Sequence, residues 1–202
     1  TFESAPGKVE ANLAFAASTF NSSTVFTVEY TADVTSSATI ASNYTLGGKA
    51  LPAGTQLQFV NGTKQVRITL PAGSITANGS YVLEAKNVVD TKGNTLKDGK
   101  ASTPVALKEN VAPEASKVTV VDSKTFTVDF SEAIADEAAV AGLTVKIGGV
   151  TVTPKTAVAA NGKLTVTTTN DFAQTDSISV EFKSTNLVDK NGNKVTDATV
   201  SK

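Results

Sequence analysis

Thr24-Val25-Phe26-Thr27-Val28-Glu29-Tyr30 returns about a hundred residues later as Lys124-Thr125-Phe126-Thr127-Val128-Asp129-Phe130. Within each copy, apolar side chains alternate with polar ones, the period-2 pattern of a strand with one buried face. Three further echoes follow in the same order. Leu46-Gly47-Gly48 matches Ile147-Gly148-Gly149, and Asn61-Gly62 matches Asn161-Gly162. Val89-Asp90-Thr91-Lys92-Gly93-Asn94 matches Val188-Asp189-Lys190-Asn191-Gly192-Asn193. Collinear repetition on this scale describes one domain written twice. The expected division is 1–110 and 111–202. The joint falls in Val111-Ala112-Pro113-Glu114, where Pro113 removes a backbone donor and biases Ala112 toward an extended conformation.

The remaining strand signals agree. Val66, Ile68 and Leu70 alternate with Arg67 and Thr69; Ile178, Val180 and Phe182 alternate with Ser179 and Glu181. One-sided burial of this kind suits antiparallel sheets packed face to face. The Gly-Gly and Asn-Gly dipeptides between apolar segments accept positive φ, as tight hairpins require. The chain is also rich in Thr and Val, β-branched residues that favour strands. The fold expected is all-β: two tandem Ig-like β-sandwich domains, roughly seven strands each. Short helices are expected only over Asp136–Ala141 and Thr35–Ala41.

Composition limits the chemistry. The 202 residues contain no Cys, Met, Trp or His and carry a formal charge of −1. Disulfides and thiolate metal sites are excluded, and the commonest general base is missing. Basic charge is not clustered, which argues against nucleic acid. No apolar run approaches the length of a membrane span, so membrane insertion is not expected. Glu29, Glu84, Asp129 and Glu181 fall at outward strand positions, where surface charge is ordinary. The expectation is therefore no enzyme, no catalytic residue and no cofactor.

Two segments carry a family resemblance. Phe126-Thr127-Val128-Asp129-Phe130 followed by Ser131-Glu132-Ala133-Ile134 resembles a segment found early in bacterial Ig-like modules. Val88-Val89-Asp90 through Leu96 and Leu187-Val188-Asp189 through Val195 are similar to the last hairpin of those modules. The first copy departs at Thr31-Ala32-Asp33-Val34. The likeness is to Ig-like repeats of surface-layer (S-layer) proteins of Gram-positive, Bacillus-type organisms. It implies a secreted cell-surface building block that contacts neighbouring copies of the same protein, attached to the cell wall by a module outside this chain. The alternative is a stalk or carbohydrate-binding repeat of an adhesin or cell-wall enzyme; Tyr44 is its single candidate aromatic, since Tyr30 and Tyr81 fit the inward pattern. Exposed strand edges would support association, with Lys124 and Arg67 as guarding charges.

Calcium is the one metal considered, since it often assists assembly in that family. Asp189, Asn191 and Asn193 present oxygens at alternate positions, as in the opening of a calcium loop, but the continuation lacks its Gly and Glu. A turn closed by Asp and Asn hydrogen bonds accounts for both copies. Glu109, Asn110 and Glu114 near the junction form a second candidate group. Asn21, Asn43, Asn61 and Asn78 begin glycosylation-like triplets that are expected to be unmodified. A Lys–Asn isopeptide bond would require a buried lysine.

Overall fold

The computed structural model describes residues 10–202 and divides the chain into two compact units, Thr1–Asn110 and Val111–Lys202. Residues 1–9 of the first expected domain lie outside the described residues.

The first unit contains β1 (Ala11–Leu13), β2 (Phe15–Phe20), β3 (Val25–Tyr30), β4 (Tyr44–Leu46), β5 (Lys49–Ala50), β6 (Gln56–Val60), β7 (Gln65–Thr69), β8 (Gly79–Lys86), β9 (Thr95–Leu96) and β10 (Lys100–Leu107). Two antiparallel sheets result, ordered β2-β3-β7-β6 and β10-β8-β4-β5, with β1 and β9 paired in parallel beside them. Phe26, Val28 and Tyr30 of β3 pack with Val66 and Ile68 of β7, and the other sheet adds Tyr44, Leu46, Leu83 and Ala85. These are the apolar members of the alternating runs, so the sequence period translates directly into a shared interior between two faces.

The second unit contains β11 (Ala115–Asp122), β12 (Thr125–Phe130), β13 (Leu143–Ile147), β14 (Val150–Val152), β15 (Thr156–Ala160), β16 (Lys163–Thr167), β17 (Ile178–Phe182) and β18 (Ala198–Ser201). Its sheets run β11-β12-β16-β15 and β14-β13-β17-β18. Matched strand for strand, that is the order of the first unit. Among the described residues ten and eight strands exceed the expected seven, because pieces as short as β5 and β9 in the first unit and β14 in the second show no period in sequence.

The turns form where positive φ was expected. Gly47 and Gly48 (φ 58° and 78°) close β4–β5, and Gly148 and Gly149 (59° and 80°) close β13–β14. Gly142 is different in kind: at φ 79°, a Cβ there would lie 2.6 Å from the Lys183 carbonyl oxygen and 2.9 Å from Thr185 Cα. Both obstacles are backbone, so neither yields.

The helix expected at Asp136–Ala141 is absent. Glu137 and Val140 instead donate backbone hydrogen bonds to Ala159 and Ala157 of β15, while the Ala159 N–H donates back to Glu137. Glu and Ala favour helix, but six residues hardly repay nucleation, and a free strand edge offers bonds at once. The Thr35–Ala41 stretch does turn, as 3-10 segments at Ser36–Thr39 and Ala41–Asn43. The guarding charges are misplaced too. Arg67 sits on the interior strand β7, and Lys124 occupies the β11–β12 turn.

Gly142→Ala is expected to destabilise the second unit by about 3 kcal/mol or more. Gly149→Ala, whose Cβ would meet nothing within 4 Å, should cost only about 1 kcal/mol. Denaturant unfolding of both variants checks this, and equal losses would show that the backbone clash at Gly142 is relieved cheaply.

Candidate functional site

The two aspartate loops are the most polar features buried in either unit. Asp189 is 2 % exposed. Its Oδ1 accepts hydrogen bonds from the backbone N–H groups of Asn191 (2.8 Å) and Asn193 (2.9 Å), and its Oδ2 accepts from Asn193 Nδ2 (2.9 Å). The Asp189 N–H donates to the Asn193 carbonyl at 2.9 Å, closing the loop. Asp90 repeats the set on Lys92 N–H, Asn94 N–H and Asn94 Nδ2 at 2.9, 2.7 and 2.8 Å. A carboxylate turned inward on its own loop is a self-contained structural lock. Asn193 thus spends its amide on the carboxylate, and Asn191 contributes its backbone N–H. The identity of residue 191 matters little to these bonds, which is why Lys92 serves equally well in the first copy.

Each lock also fastens a distant segment. Asp90 bridges Val34 and Asp189 bridges Ile134. The Thr35 N–H donates to Val89 O at 3.0 Å, and the Ala135 N–H donates to Val188 O at 2.7 Å. In the second unit Glu132 brings another carboxylate oxygen to within 4.8 Å of that of Asp189. Ala32 holds the corresponding place in the first copy.

The junction residues have separate duties. Asn110 is 2 % exposed. Its Oδ1 accepts from the Ile75 N–H at 2.9 Å, and its backbone O accepts from the Gly73 N–H at 2.9 Å. Its Nδ2 reaches Pro71 O, Ser74 Oγ and Ser23 O at 3.3 to 3.4 Å. Asn110 therefore pins loops of the first unit, a role that its place near a linker concealed. The Glu109 N–H donates to Asn78 Oδ1 at 2.8 Å. Glu114 belongs to the second unit, its N–H bonded to Ser131 Oγ at 2.9 Å.

Tyr44, the candidate aromatic of the carbohydrate-binding alternative, is buried at 1 % exposure and so presents no ring to a sugar. Its hydroxyl donates to the Ala38 carbonyl at 2.6 Å and lies 2.7 Å from the Tyr30 hydroxyl, which is left to donate to Tyr44. The missed signal was position: Tyr44 stands two residues before Leu46, hence on the same face of β4. Burial pushes the Tyr44 hydroxyl up to about 12, moderated by the bond from Tyr30, and burial raises Tyr30 further still.

The glycosylation-like asparagines also have local roles. Asn21 accepts from Thr27 Oγ1, Asn43 donates to Ser37 O, Asn61 adopts φ 53° in a turn, and Asn78 holds Glu109. Every described lysine is exposed or fully solvated in its surroundings, so the buried lysine of an isopeptide bond is lacking among the described residues. Glu29 accepts from Gln65 Nε2 at 3.0 Å, and Asp129 pairs with Lys163 at 3.2 Å, so both belong to polar contacts on the sheet. None of the described helices is long and apolar enough to cross a membrane.

No protein-family model matches the chain, and no curated protein matches it. Among solved structures it is similar to the N-terminal part of the bacterial S-layer protein SbsC, at 14% identity and TM-score 0.37 over 92% of this chain and 44% of that one. It is similar to domains 1-6 of SbsC at 10% identity and TM-score 0.39, covering 92% and 41%. An I-band fragment of titin gives 12% identity and TM-score 0.36, covering 96% and 61%. The chain thus spans less than half of each of these two SbsC structures.

Two outcomes follow for pH. Burial pushes the Asp90 carboxyl up, but the hydrogen bonds from Asn94 and Lys92, with the Lys92 charge, outweigh it and hold it below the usual aspartate range. The ionised form is favoured by folding, so its stabilisation is present at neutral pH and lost as pH falls through the lowered value. The stability gap between the parent and Asp90→Asn should shrink on acidification; a gap that stays constant from about pH 7 to 2 would refute the lock. The tyrosines act oppositely. Their raised values favour the neutral form, so the first unit should loosen as pH rises above about 10, whereas the second contains no Tyr. Tyr44→Phe should cost about 1–3 kcal/mol by stranding Ala38 O and the Tyr30 hydroxyl. Hydrogen exchange on the intact chain resolves each unit.

Proposed function

We propose that this chain is a structural section of a bacterial surface-layer protein, supplying rigid Ig-like units and protein–protein contacts to a self-assembling coat outside the cell. The observation that carries this reading is the joining of the two segments on which the family resemblance rests. In the second unit Ser131-Glu132-Ala133-Ile134 and the Leu187-Val188-Asp189 to Asn193 loop are more than 50 residues apart in sequence, yet Ile134 bridges Asp189 and Ala135 bonds Val188. The first unit makes the same junction from Val34, Thr35, Val89 and Asp90. The resemblance therefore falls on one joined substructure in the second unit, and the first unit keeps the junction although its Thr31-Ala32-Asp33-Val34 segment departs from the pattern.

In this reading the chain works by stiffness and surface, without a reaction of its own. The buried Asp90 and Asp189 carboxylates, the Asn110 amide and the Tyr44 hydroxyl are turned onto backbone. The outer faces are rich in Thr and Ser, which shed water at less cost than charged groups when another copy packs against them. Neighbouring copies of the protein are the partners, and a separate module outside this chain would hold the coat to the cell wall.

The test is electron microscopy of the purified full polypeptide with calcium supplied. Regular two-dimensional sheets are expected, with their formation lost when residues 10–202 are deleted. Persistent monomers under those conditions, or unchanged sheets after the deletion, would overturn the proposal.

A further inference from the structure

The two units treat one equivalent strand edge differently. In the sheet β11-β12-β16-β15, strand β15 is last, and its outward backbone groups at Ala157 and Ala159 are taken by Glu137 and Val140 of the same unit. The counterpart in the first unit is β6, last in β2-β3-β7-β6. Which of its groups face outward follows from alternation. Tyr30 N–H bonds Lys64 O and Leu70 N–H bonds Thr24 O, so the even-numbered residues of β7 face β3 and the odd ones face β6. Gln56, Gln58 and Val60 pair with the odd residues Thr69, Arg67 and Gln65. The N–H and C=O of Leu57 and Phe59 are left pointing away from the sheet. Among the described residues nothing bonds them.

The cause is visible in the chain. The segment that would lie along β6, as Glu137–Val140 lies along β15, is instead wound into the 3-10 turn Ser36–Thr39. Tyr44 holds it there through Ala38 O. Aligning Leu46-Gly47-Gly48 with Ile147-Gly148-Gly149 puts Val145 at the place of Tyr44, and valine has no hydroxyl to do the same. Strand β6 itself, Gln56-Leu57-Gln58-Phe59-Val60, contains no Lys, Arg, Asp, Glu or Pro, the residues that ordinarily blunt an open edge.

We infer that β6 is a self-association edge, and that its occupant is β6 of a second copy of this chain, antiparallel across a twofold axis. This deepens the lattice reading and rests on it. Centring the axis on Gln58 sets Leu57 opposite the second copy's Phe59 and Phe59 opposite its Leu57. All four outward groups of each strand are then used. The half-buried Leu57 and Phe59 side chains, which already pack on the core, meet across the joint and lose water. Gln58 faces its own counterpart. A charged residue there would repel itself, whereas a primary amide both donates and accepts and so complements its copy. A twofold contact needs only one open edge, and β6 supplies one.

A single cysteine tests the geometry, because the chain has none of its own. Residues opposed at a non-hydrogen-bonded antiparallel position have Cα atoms about 4.5 Å apart, within the span of a disulfide. Gln58→Cys should form a covalent dimer under mild oxidation, whereas Val158→Cys, at the equivalent place on the covered β15, should stay monomeric. Gln58→Lys and Gln58→Glu should each lose the dimer alone and regain it when mixed. Failure of Gln58→Cys to cross-link faster than Val158→Cys overturns the edge assignment, even if regular sheets still form. Cross-linking without sheets upholds the edge and counts against the lattice reading alone.

Discussion

A buried carboxylate folded back on its own backbone is the constraint on which each unit depends. Asp90 and Asp189 sit inside polypeptide, where an ionised group without donors would be costly. Each is supplied with two backbone N–H groups and one side-chain amide from a loop only five residues long. Because the donors come from the loop itself, the carboxylate dictates the loop's shape, and the loop then presents Val89 or Val188 to the segment that leaves β3 or β12. That attachment links the end of one sheet to the path between the two. Without it, the opposed sheets would share an apolar interior but lack a polar clasp fixing how the chain passes from one to the other.

How far this could be seen in sequence depended on whether a feature was local. Strands β3, β7, β12 and β17 were legible because alternation is a local property of each run, and the all-β outcome follows from it. Turns at Gly47-Gly48 and Gly148-Gly149 were legible because positive φ is a demand on single residues. The Asp-x-x-Gly-Asn loop was readable as a turn for the same reason. The loop-pinning role of Asn110 is not legible in sequence because its partners, Gly73, Ile75 and Pro71, lie more than 30 residues upstream. Tyr44 was misjudged because β4 is three residues long, too short to display a period. The helix expected at Asp136–Ala141 failed on competition: local propensity was right for those residues, but the edge of β15 could not be foreseen as a rival.

Comparison of the two copies shows how small changes move large consequences. A tyrosine in place of Val145 supplies one hydroxyl, which captures one carbonyl and thereby a turn of chain. Capturing that turn leaves the segment beside β6 without the backbone hydrogen bonds that Glu137 and Val140 make to β15. The same tyrosine that ties the interior of the first unit to Ala38, through the Tyr30–Tyr44 pair, thus accompanies a β6 edge whose Leu57 and Phe59 backbone groups are unbonded among the described residues. The second unit retains a plainer interior, in which Phe130 stands for Tyr30 and packs edge-on against Phe182 with ring centroids 5.6 Å apart. Its β15 edge is covered by its own chain.

That division of labour bears on why a duplicated domain would keep two unlike copies. If both units closed every edge, association would depend wholly on side chains of the outer faces, where Thr and Ser give weak and poorly directed contacts. If both left the same edge open, each chain could join others at either copy, and branching would compete with order. An open β6, bordered by neutral glutamines and backed by Leu57 and Phe59, offers in the first unit a directed joint that the covered β15 of the second does not. Directed joints are what separate a lattice from an aggregate, because register fixes orientation as well as proximity. In the proposed assembly, the inequality of the two copies at β6 and β15 would then favour order, and it is set in part by whether a tyrosine or a valine precedes the Gly-Gly turn.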